Sequence, residues 1–514
     1  MKKRKYSIVL AVICLPLAGA ACLYTSEWAD YLGNPQRTGY SGDNGPEMPE
    51  TLWEVNIPGD FDTSPFIAGD KVLLLWKDDM YHLVKTKVFL LDLCTGDIEK
   101  ELNSDLIFKA FFMDDHILGV SIETIHEIDR ISGEITFLSF MPKKSFVMTS
   151  LYPLILEDRI VIPTTPVVCL SSSDFHTLWT LGDTSDSDLE PVCLAGDESL
   201  IIFVARKNGI AQLVAVDPSN GIIKWRIDPL RGARWLAMGK DAIYCGGRNL
   251  WAFDRDGKQL WVFFPHEGIV SNIVVGKDAL YIVDEANTLC KVDFSGSLVW
   301  KTEWEVSPWF YETHLLGTGD ILYCIGNYGD AVSVDRSQVT AHSMEDGSRL
   351  WDVEFGPSQY VKGSPALAGG VLVIGTTNGT VIALASDPEL YVRQGDALLS
   401  KNLREKAIDS YKKAAEFYEK KGNMNRSQEI QMQIELIENL QTTTPKTPET
   451  PPPDSYQPSP LSTSPPETPP VSSLLLPESS SHLISVLAIV VLIGIFISYV
   501  FFKKRKSRKT DIRK

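Results

Sequence analysis

Cysteine and histidine side chains are among those that most often act as nucleophiles, bases or metal ligands, and their spacing indicates whether such a site can form. The chain has eight cysteines and eight histidines among 514 residues. It contains no adjacent cysteine pair, no C-x-x-C and no H-E-x-x-H pattern. No G-x-S-x-G turn or phosphate-binding glycine loop stands out either. The sequence therefore predicts no catalytic residue, no cofactor and no metal ligand.

Six cysteines follow the N-terminal region, and all of them fall within or beside β-rich runs. Cysteine at such a position usually behaves as a small apolar side chain, which favours buried free thiols. Disulfides stay possible if the chain is exported, because sequence cannot choose among the pairings. The six residues are Cys94, Cys169, Cys193, Cys245, Cys290 and Cys324.

Carboxylates form one dense cluster, Asp183, Asp186 and Asp188, in the loop that follows Trp179. Oxygen-rich loops can bind calcium, but this loop lacks the glycine and the final glutamate of an EF-hand loop. A solvated acidic loop is therefore favoured over an ion site.

Arginine and aromatic residues are concentrated in two connections between predicted strands, at 231–235 and 304–311. Arg, Trp and Tyr dominate the binding energy of many protein interfaces, and clustered tryptophans can also stack on sugars. The same residues could instead pack against the protein's own surface, and both interpretations stay open. The candidate partner-binding residues are Trp304, Trp309, Phe310, Tyr311, Arg231, Arg234 and Trp235.

The elements that would position these connections repeat along the chain. The sequence from Met238 to Tyr244 returns from Val275 to Tyr281, and each copy leads to a turn with Asp, Gly and then Trp. Asp supplies a hydrogen-bonding side chain, Gly permits a positive φ, and Trp can fill the wedge between neighbouring sheets. The predicted docking residues are Trp53, Trp225, Trp261, Trp300 and Trp351, with Gly221, Gly257, Gly296 and Gly347.

Eight such units fit between residues 50 and 386, at roughly 42 residues each, which is the size of a four-stranded propeller blade. The sequence therefore predicts an all-β, eight-bladed β-propeller over 28–386. The eighth unit lacks a final Trp strand, whereas the residues from Leu52 to Val55 look like such a strand without a blade before it. We predict that this N-terminal strand completes the eighth blade and closes the ring.

The chain from Trp28 to Ala385 resembles the quinoprotein-like, or PQQ-like, β-propellers. The most specific part is the entry, with Trp28, then Gly33 to Ser41, then Leu52-Trp53-Glu54. The resemblance implies an eight-bladed fold with tryptophans docked between blades. Relatives include quinone-dependent alcohol dehydrogenases and a non-enzymatic lipoprotein of outer-membrane assembly, so fold does not fix function. The dehydrogenases carry an adjacent Cys-Cys pair that this sequence lacks, so no quinone cofactor is expected.

After Pro388 the apolar period changes from two to about 3.6, which predicts a small helical hairpin and a following helix over 388–440. The segment resembles one tetratricopeptide repeat, although Gln394 and Leu398 stand where that family usually has Leu and Tyr. One repeat offers almost no groove, so a rigid adaptor is favoured over a docking or oligomerisation module. The matching positions are Tyr391, Gly395, Ala407, Tyr411 and Ala414.

Both chain ends carry membrane signals. Residues 1–20 have the basic start, short apolar run and small residues of a secretory signal peptide, and Cys22 could be lipidated. Residues 483–502 form an uncharged apolar stretch long enough to cross a bilayer, and the basic tail at 503–514 predicts a cytoplasmic C-terminus. Before that helix, the Pro/Thr/Ser-rich segment 441–481 predicts a disordered stalk.

Asp and Glu outnumber Lys and Arg by 66 to 49, so nucleic acid is not an expected partner. The sequence predicts a non-enzymatic protein of the cell membrane, whose extracytoplasmic propeller binds an envelope protein or a glycan. The alternative is a membrane-tethered quinone-dependent oxidoreductase of the PQQ-dehydrogenase type. Carboxylate, amide and Arg groups converging on a stacking Trp at the channel mouth would favour that alternative.

Overall fold

The computed structural model describes residues 27–442, with gaps at 58, 60–62, 79–84, 104–106, 108, 114–115, 122–123, 131, 133, 141–145, 148–151, 182–188, 229, 305–312, 330–333, 357–358 and 362. The predicted signal peptide, transmembrane helix and cytoplasmic tail lie outside the described residues, as does nearly all of the predicted stalk. The acidic cluster at 183–188 lies outside them too. Between residues 27 and 442, gaps excepted, no helix is both long and apolar enough to cross a membrane.

The first half of the ring consists of four antiparallel sheets, each built from four strands in which short apolar runs are separated by Gly- or Asp-containing turns. Blade 1 contains β3 (Phe66–Ala68), β4 (Lys71–Asp78), β5 (Lys85–Asp92) and β6 (Ile98–Asn103). Blade 2 contains β7 (Lys109–Met113), β8 (His116–Val120), β9 (Thr124–Asp129) and β10 (Ile135–Phe140). Blade 3 contains β12 (Leu154–Ile155), β13 (Arg159–Ile162), β15 (Val168–Ser171) and β16 (Thr177–Thr180), and a small pair, β11 (Phe146–Val147) with β14 (Thr164–Thr165), lies beside it. Blade 4 contains β17 (Glu190–Asp197), β18 (Leu200–Lys207), β19 (Ile210–Val216) and β20 (Ile223–Ile227).

The second half repeats this plan and also receives two N-terminal strands. Blade 5 contains β21 (Trp235–Met238), β22 (Ile243–Gly246), β23 (Leu250–Phe253) and β24 (Gln259–Phe263). Blade 6 contains β25 (Val274–Val275), β26 (Ala279–Val283), β27 (Thr288–Asp293) and β28 (Leu298–Glu303). Blade 7 contains β29 (His314–Thr318), β30 (Ile321–Gly329), β31 (Val334–Ser343) and β32 (Arg349–Glu354), with β1 (Tyr40–Ser41) parallel to β29. Blade 8 contains β33 (Ala366–Ala368), β34 (Val371–Gly375), β35 (Thr380–Ala385) and β2 (Thr51–Asn56).

The eight sheets form an eight-bladed β-propeller, as the repeat predicts. Its eighth blade is completed by the N-terminal strand β2, which pairs antiparallel with β35 so that Trp53 lies opposite Ala383. The predicted ring closure is therefore confirmed. We call the face with the hairpins between second and third strands, and the connections between blades, the upper face. The opposite face is the lower face.

Tryptophan contacts connect neighbouring blades on the lower side. At five junctions, a Trp ring from one outer strand covers a positive-φ glycine in the last turn of the next blade, and the indole N–H donates to a carbonyl of that turn. For example, a Cβ added to Gly257 would lie 2.7 Å from the Trp225 ring, and Trp225 donates to the Arg255 carbonyl at 2.9 Å. The pairs are Trp53 with Gly96, Trp179 with Gly221, Trp225 with Gly257, Trp261 with Gly296, and Trp300 with Gly347.

Three junctions lack this contact. Between blades 7 and 8, Trp351 has no turn to receive it, because blade 8 ends in the separate strand β2, and its indole N–H has no acceptor. Between blades 2 and 3, Phe175 takes the turn position that glycine has elsewhere, with a φ of 58°, and packs into the core of blades 2 and 3. Between blades 1 and 2, Arg130 of the turn region reaches back to donate to the Ala68 carbonyl at 3.4 Å.

The entry segment before β2 crosses the lower end of the central channel. Its backbone bonds to inner strands on opposite sides of the ring, from Trp28 with Ile67 in blade 1 to Gln36 with Met238 in blade 5, and continues to Gly39 with Gly317 in blade 7. Arg37 is buried within this crossing, where it pairs with Asp30 and donates to the Pro153 carbonyl at 2.6 Å. The motif predicted to lead into the first blade thus also closes the channel from below.

Three helices follow blade 8, namely α1 (Pro388–Ser400), α2 (Arg404–Lys420) and α3 (Met424–Thr442). They share one hydrophobic cluster with blades 7, 8 and 1. Gln394 of α1 donates to the Leu52 carbonyl of β2 at 2.7 Å and to the Cys94 carbonyl of blade 1 at 3.2 Å. The helices therefore cover the strand that closes the ring.

Replacing Gly257 by Ala tests the Trp contact between blades 4 and 5. Any L-residue at its φ of 84° is strained by about 1–2 kcal/mol, and the added Cβ also meets the Trp225 ring, for a further cost of about 1–3 kcal/mol. The matched control is Gly209→Ala, since Gly209 has a φ of 78° and open space around the added Cβ. We expect Gly257→Ala to lower the urea midpoint clearly more than Gly209→Ala does. Equal shifts would show that the Trp contact adds nothing beyond backbone strain.

Candidate functional site

A groove of about 430 Å³ lies on the upper face of blades 4 and 5. One wall is the β18–β19 hairpin with Arg206 and Ile210, and the other is the turn from Leu230 to Ala233. The turn is fixed to both blades, because Leu230 N–H donates to the Ala211 carbonyl of blade 4 at 3.0 Å, and the Arg231 carbonyl accepts from Arg248 N–H of blade 5 at 3.0 Å. Both walls of the groove are thus held by backbone hydrogen bonds.

Four arginines surround this groove, and we call Arg206, Arg231, Arg234 and Arg248 the arginine face. All four are exposed. The guanidinium of Arg234 donates to the Ile269 carbonyl at 2.9 Å, whereas those of Arg206, Arg231 and Arg248 form no ion pair within the described part of the chain. Glu190 is the cross-strand neighbour of Arg206, but it makes no salt bridge to it. A chain of net charge −17 therefore presents a local group of positive charges.

Exposed apolar side chains accompany the arginine face. Ile210, at the start of β19, is 54% exposed, and Phe264, directly after β24, is 72% exposed. Phe263 lies opposite Leu250 in the β23–β24 ladder, so Phe264 emerges next to the hairpin that carries Arg248. Arginine beside a few exposed apolar residues is the composition typical of a protein-binding surface.

The structure separates the seven predicted partner-binding residues into four groups. Arg231 and Arg234 lie on the arginine face. Trp235 is half-buried, and its indole lies under the Arg234 guanidinium at 5.8 Å from the ring centre. Trp304 is only 4% exposed and packs between blades 6 and 7, which favours a packing role for its ring. The other three lie outside the described residues, namely Trp309, Phe310 and Tyr311.

Sequence reasoning missed Arg206, Ile210, Arg248 and Phe264. Each of them lies at the end of a strand or in a hairpin. Each also has at least one neighbour in space that belongs to another repeat unit, so their proximity is not visible in the sequence. The sequence feature that could have indicated them is the tandem Gly-Gly-Arg at 246–248. A Cβ added to Gly247 would lie only 2.6–2.7 Å from backbone atoms of Gly232 and Ala233, so glycine is what lets the hairpin come so close to that turn. That close approach places Arg248 beside Arg231.

The described part of the chain contains no assembled metal site. No three His, Cys, Asp or Glu side chains there are grouped so as to hold a metal ion. The Trp235 indole N–H is buried and has no acceptor, so no carboxylate or amide oxygen of a described residue bonds to it.

Cys169, Cys193, Cys245, Cys290 and Cys324 are free thiols, and of all six cysteines only Cys193 is not fully buried. Burial raises the pKa of the thiols of Cys169, Cys193 and Cys290 to about 12 each, and it raises the pKa of Cys245 and Cys324 as well. A thiol with such a pKa is almost entirely protonated near neutral pH, and the thiolate is the nucleophilic form. These cysteines are therefore inert packing residues.

Comparison with known proteins supports the fold. Residues 247–389 match the PQQ_2 family model, described as outer membrane protein assembly factor BamB, over less than a third of the chain. The propeller is PQQ-like. No curated protein sequence matches the chain significantly.

Solved structures similar to this PQQ-like propeller span unrelated functions. The quinohemoprotein alcohol dehydrogenase from Comamonas testosteroni is 12% identical with a TM-score of 0.52, covering 71% of this chain and 81% of the enzyme. The computationally designed protein Ika8 is 14% identical with a TM-score of 0.52, covering 65% and 99%. Sqt1 from Saccharomyces cerevisiae is 11% identical with a TM-score of 0.51, covering 66% and 99%. An enzyme and a designed protein match equally well, so these similarities establish the fold alone.

The thiol pKa values predict the reactivity of the native PQQ-like propeller. At pH 8 we expect a thiol reagent to leave Cys169, Cys193, Cys245, Cys290 and Cys324 unmodified, to leave Cys94 unmodified because it is buried, and to modify all six rapidly once urea unfolds the chain. Mass spectrometry of labelled peptides identifies each site. Rapid native labelling of any one of the six would contradict the buried-thiol assignment, and failure to label after unfolding without reductant would indicate a disulfide.

Proposed function

We propose that this chain is a non-enzymatic binding module of the cell envelope. Its propeller would stand on the extracytoplasmic side, carried by the stalk and the helix at 483–502, and its arginine face would bind another envelope protein. The observation that carries the proposal is the group of unpaired guanidiniums beside the groove on an otherwise acidic chain.

The charges favour a carboxylate-rich partner segment. Arg206 and Arg231 lie on opposite walls of the groove, so an extended chain between them could accept hydrogen bonds from both guanidiniums. Guanidinium to carboxylate bonds are charge-assisted and strong, and here they would not compete with an existing ion pair. The apolar floor, formed by Ala211, Leu230 and Ala233, fits an aliphatic side chain between the acidic ones.

A protein partner is favoured over a glycan. Sugar recognition commonly uses an exposed aromatic ring as a stacking surface, but Trp304 is buried and Trp235 is half-buried beneath Arg234. The exposed aromatic residue near the groove, Phe264, lies next to the hairpin that carries Arg248, which suits a mixed acidic and apolar peptide. The match to a family described as an outer membrane assembly factor agrees with a protein-binding role.

Site-specific photo-crosslinking in intact cells tests this proposal. A benzoylphenylalanine replacing Ile210 lies at the groove, and the same residue replacing Leu298, which is 44% exposed on the outer strand of blade 6, is the control. We expect Ile210 to capture one reproducible envelope protein that Leu298 does not capture. Identical products at both positions, or none at Ile210, would reject the groove as the binding site.

Charge reversal tests the role of the guanidiniums. With the full-length chain in mild detergent and a fluorescent peptide of alternating Glu and Leu as probe, we expect Arg206→Glu with Arg231→Glu to weaken binding roughly tenfold or more. Lys277→Glu, at an exposed turn of the lower face, is the matched control and should leave the affinity unchanged. Added salt should weaken wild-type binding. A double variant that binds the probe as tightly as the control would remove the basis for an acidic partner.

A further inference from the structure

The outer strand of blade 2 carries an exposed aromatic pair far from the arginine face. On β10, Phe137 is 47% exposed and Phe140 is 70% exposed, and their ring centres are 4.7 Å apart. His126 of the neighbouring strand β9 contacts the Phe137 ring edge-on at 6.1 Å, and burial lowers the pKa of His126, which keeps it neutral near pH 7. Ile135, at 37% exposed, extends the same strand.

A displaced β-bulge is the reason why this pair is exposed. In the other seven outer strands, the bulge lies one residue before the position that Trp occupies in six of them. In β10 the bulge lies later, between Phe137 and Ser139. Phe137 follows Asp129 by the same spacing that separates Trp225 from Asp217, but without the early bulge it is one register step away from the docking position.

The ring does not need this pair, because the wedge between blades 2 and 3 is already filled. Phe175 of blade 3 packs into it from the turn, as described above. Phe137 and Phe140 are therefore apolar surface that is not needed to pack the described part of the ring and stays exposed there. A contiguous exposed aromatic patch on a highly charged protein usually marks an interaction site.

The strand that carries the pair also has an unpaired edge. β10 is the last strand in the order β10-β9-β8-β7, so its outer backbone groups have no neighbour within the sheet. Its sequence, ITFLSF, has no charged residue, whereas β2, β6, β20, β28 and β32 all carry charges that discourage edge pairing. The strands β16 and β24 are uncharged as well, but each has its Trp docked on the next blade.

We propose that β10 is a self-association edge, at which two copies of this chain pair antiparallel through β10 and bring their Phe137 and Phe140 rings together. An uncharged strand is complementary to itself in antiparallel twofold pairing, because each backbone N–H of one copy faces a C=O of the other copy and the twofold axis repeats the same bond. Glu134, directly before the strand, lies at opposite ends of such a pair, so the two carboxylates stay apart. Two copies of net charge −17 can approach here without like charges meeting.

The dimer should be weak. A six-residue edge with two Phe side chains buries less than the roughly 1,200–2,000 Å² of a stable interface. We therefore expect a dissociation constant on the order of 10 µM or above, so that association depends on a high local concentration.

Sedimentation velocity of the full-length chain in mild detergent, over a series of concentrations, tests the proposal. We expect a monomer–dimer equilibrium in which Phe140→Glu weakens dimerisation at least about tenfold, because a carboxylate would be buried at the contact in place of an apolar ring. Phe264→Glu is the matched control, since Phe264 is 72% exposed and lies on the arginine face. It should leave dimerisation unchanged. Because Phe140 is exposed, Phe140→Glu should leave the urea midpoint unchanged as well.

Hydrogen exchange locates the contact. We expect the amides of 135–140 to gain protection as the wild-type concentration rises, and Phe140→Glu to abolish that gain. A chain that stays monomeric at its highest soluble concentration, or a dimer that Phe140→Glu leaves intact, would overturn the proposal. Binding of the Glu-Leu peptide should be unaffected by Phe140→Glu. Failure of the self-association proposal can therefore be distinguished from failure of the proposed binding role of the arginine face.

Discussion

The contact of a tryptophan ring with a bare glycine is the constraint on which the ring depends. Glycine is required for two reasons. The turn needs a positive φ, and any Cβ would occupy the space of the indole ring. The indole N–H then bonds to the same turn, so orientation is fixed as well as distance. Where the contact is missing, another group fills the wedge, Phe175 at one junction and Arg130 at another. What the geometry preserves is a filled wedge, whichever blade supplies the side chain.

The ring must also be closed, and the chain does this with segments from both ends. The N-terminal part supplies the outer strand of blade 8 and a crossing below the channel in which Arg37 is buried and paired with Asp30. The C-terminal part supplies three helices that cover that strand, with Gln394 bonded to both sides of the junction. One of the two residues that depart from the tetratricopeptide pattern, Gln394, thus helps to attach the helices to the propeller. This favours a structural role for the helical segment.

The sequence was sufficient where the determinants are local. The recurring Asp, Gly and Trp, and the unmatched strand around Trp53, predict the blades and their closure because each unit carries its own turn chemistry. Features that depend on distant neighbours were not predictable in the same way. Arg37 bonds to carbonyls more than a hundred residues away, and Arg206 meets Arg231 only because two blades are adjacent. The position of the bulge in β10 is defined by the strand residue that has no partner on β9, and hydrophobic spacing does not indicate which residue that is. The position of Trp304 in a connection between strands predicts an exposed aromatic side chain, yet the side chain is buried.

Ring closure also determines the order in which parts of the propeller can fold when the chain is synthesised from its N-terminus onward. Thr51–Asn56 is among the first strands made, but its partner Thr380–Ala385 is the last strand of the propeller. The crossing segment likewise waits for blades 5, 6 and 7 before its backbone groups find partners. Such long-range pairings are slow to form and leave strand edges open meanwhile. The ring can therefore close only after β35 has emerged, and any truncation before residue 380 leaves the closing strand β2 without its partner.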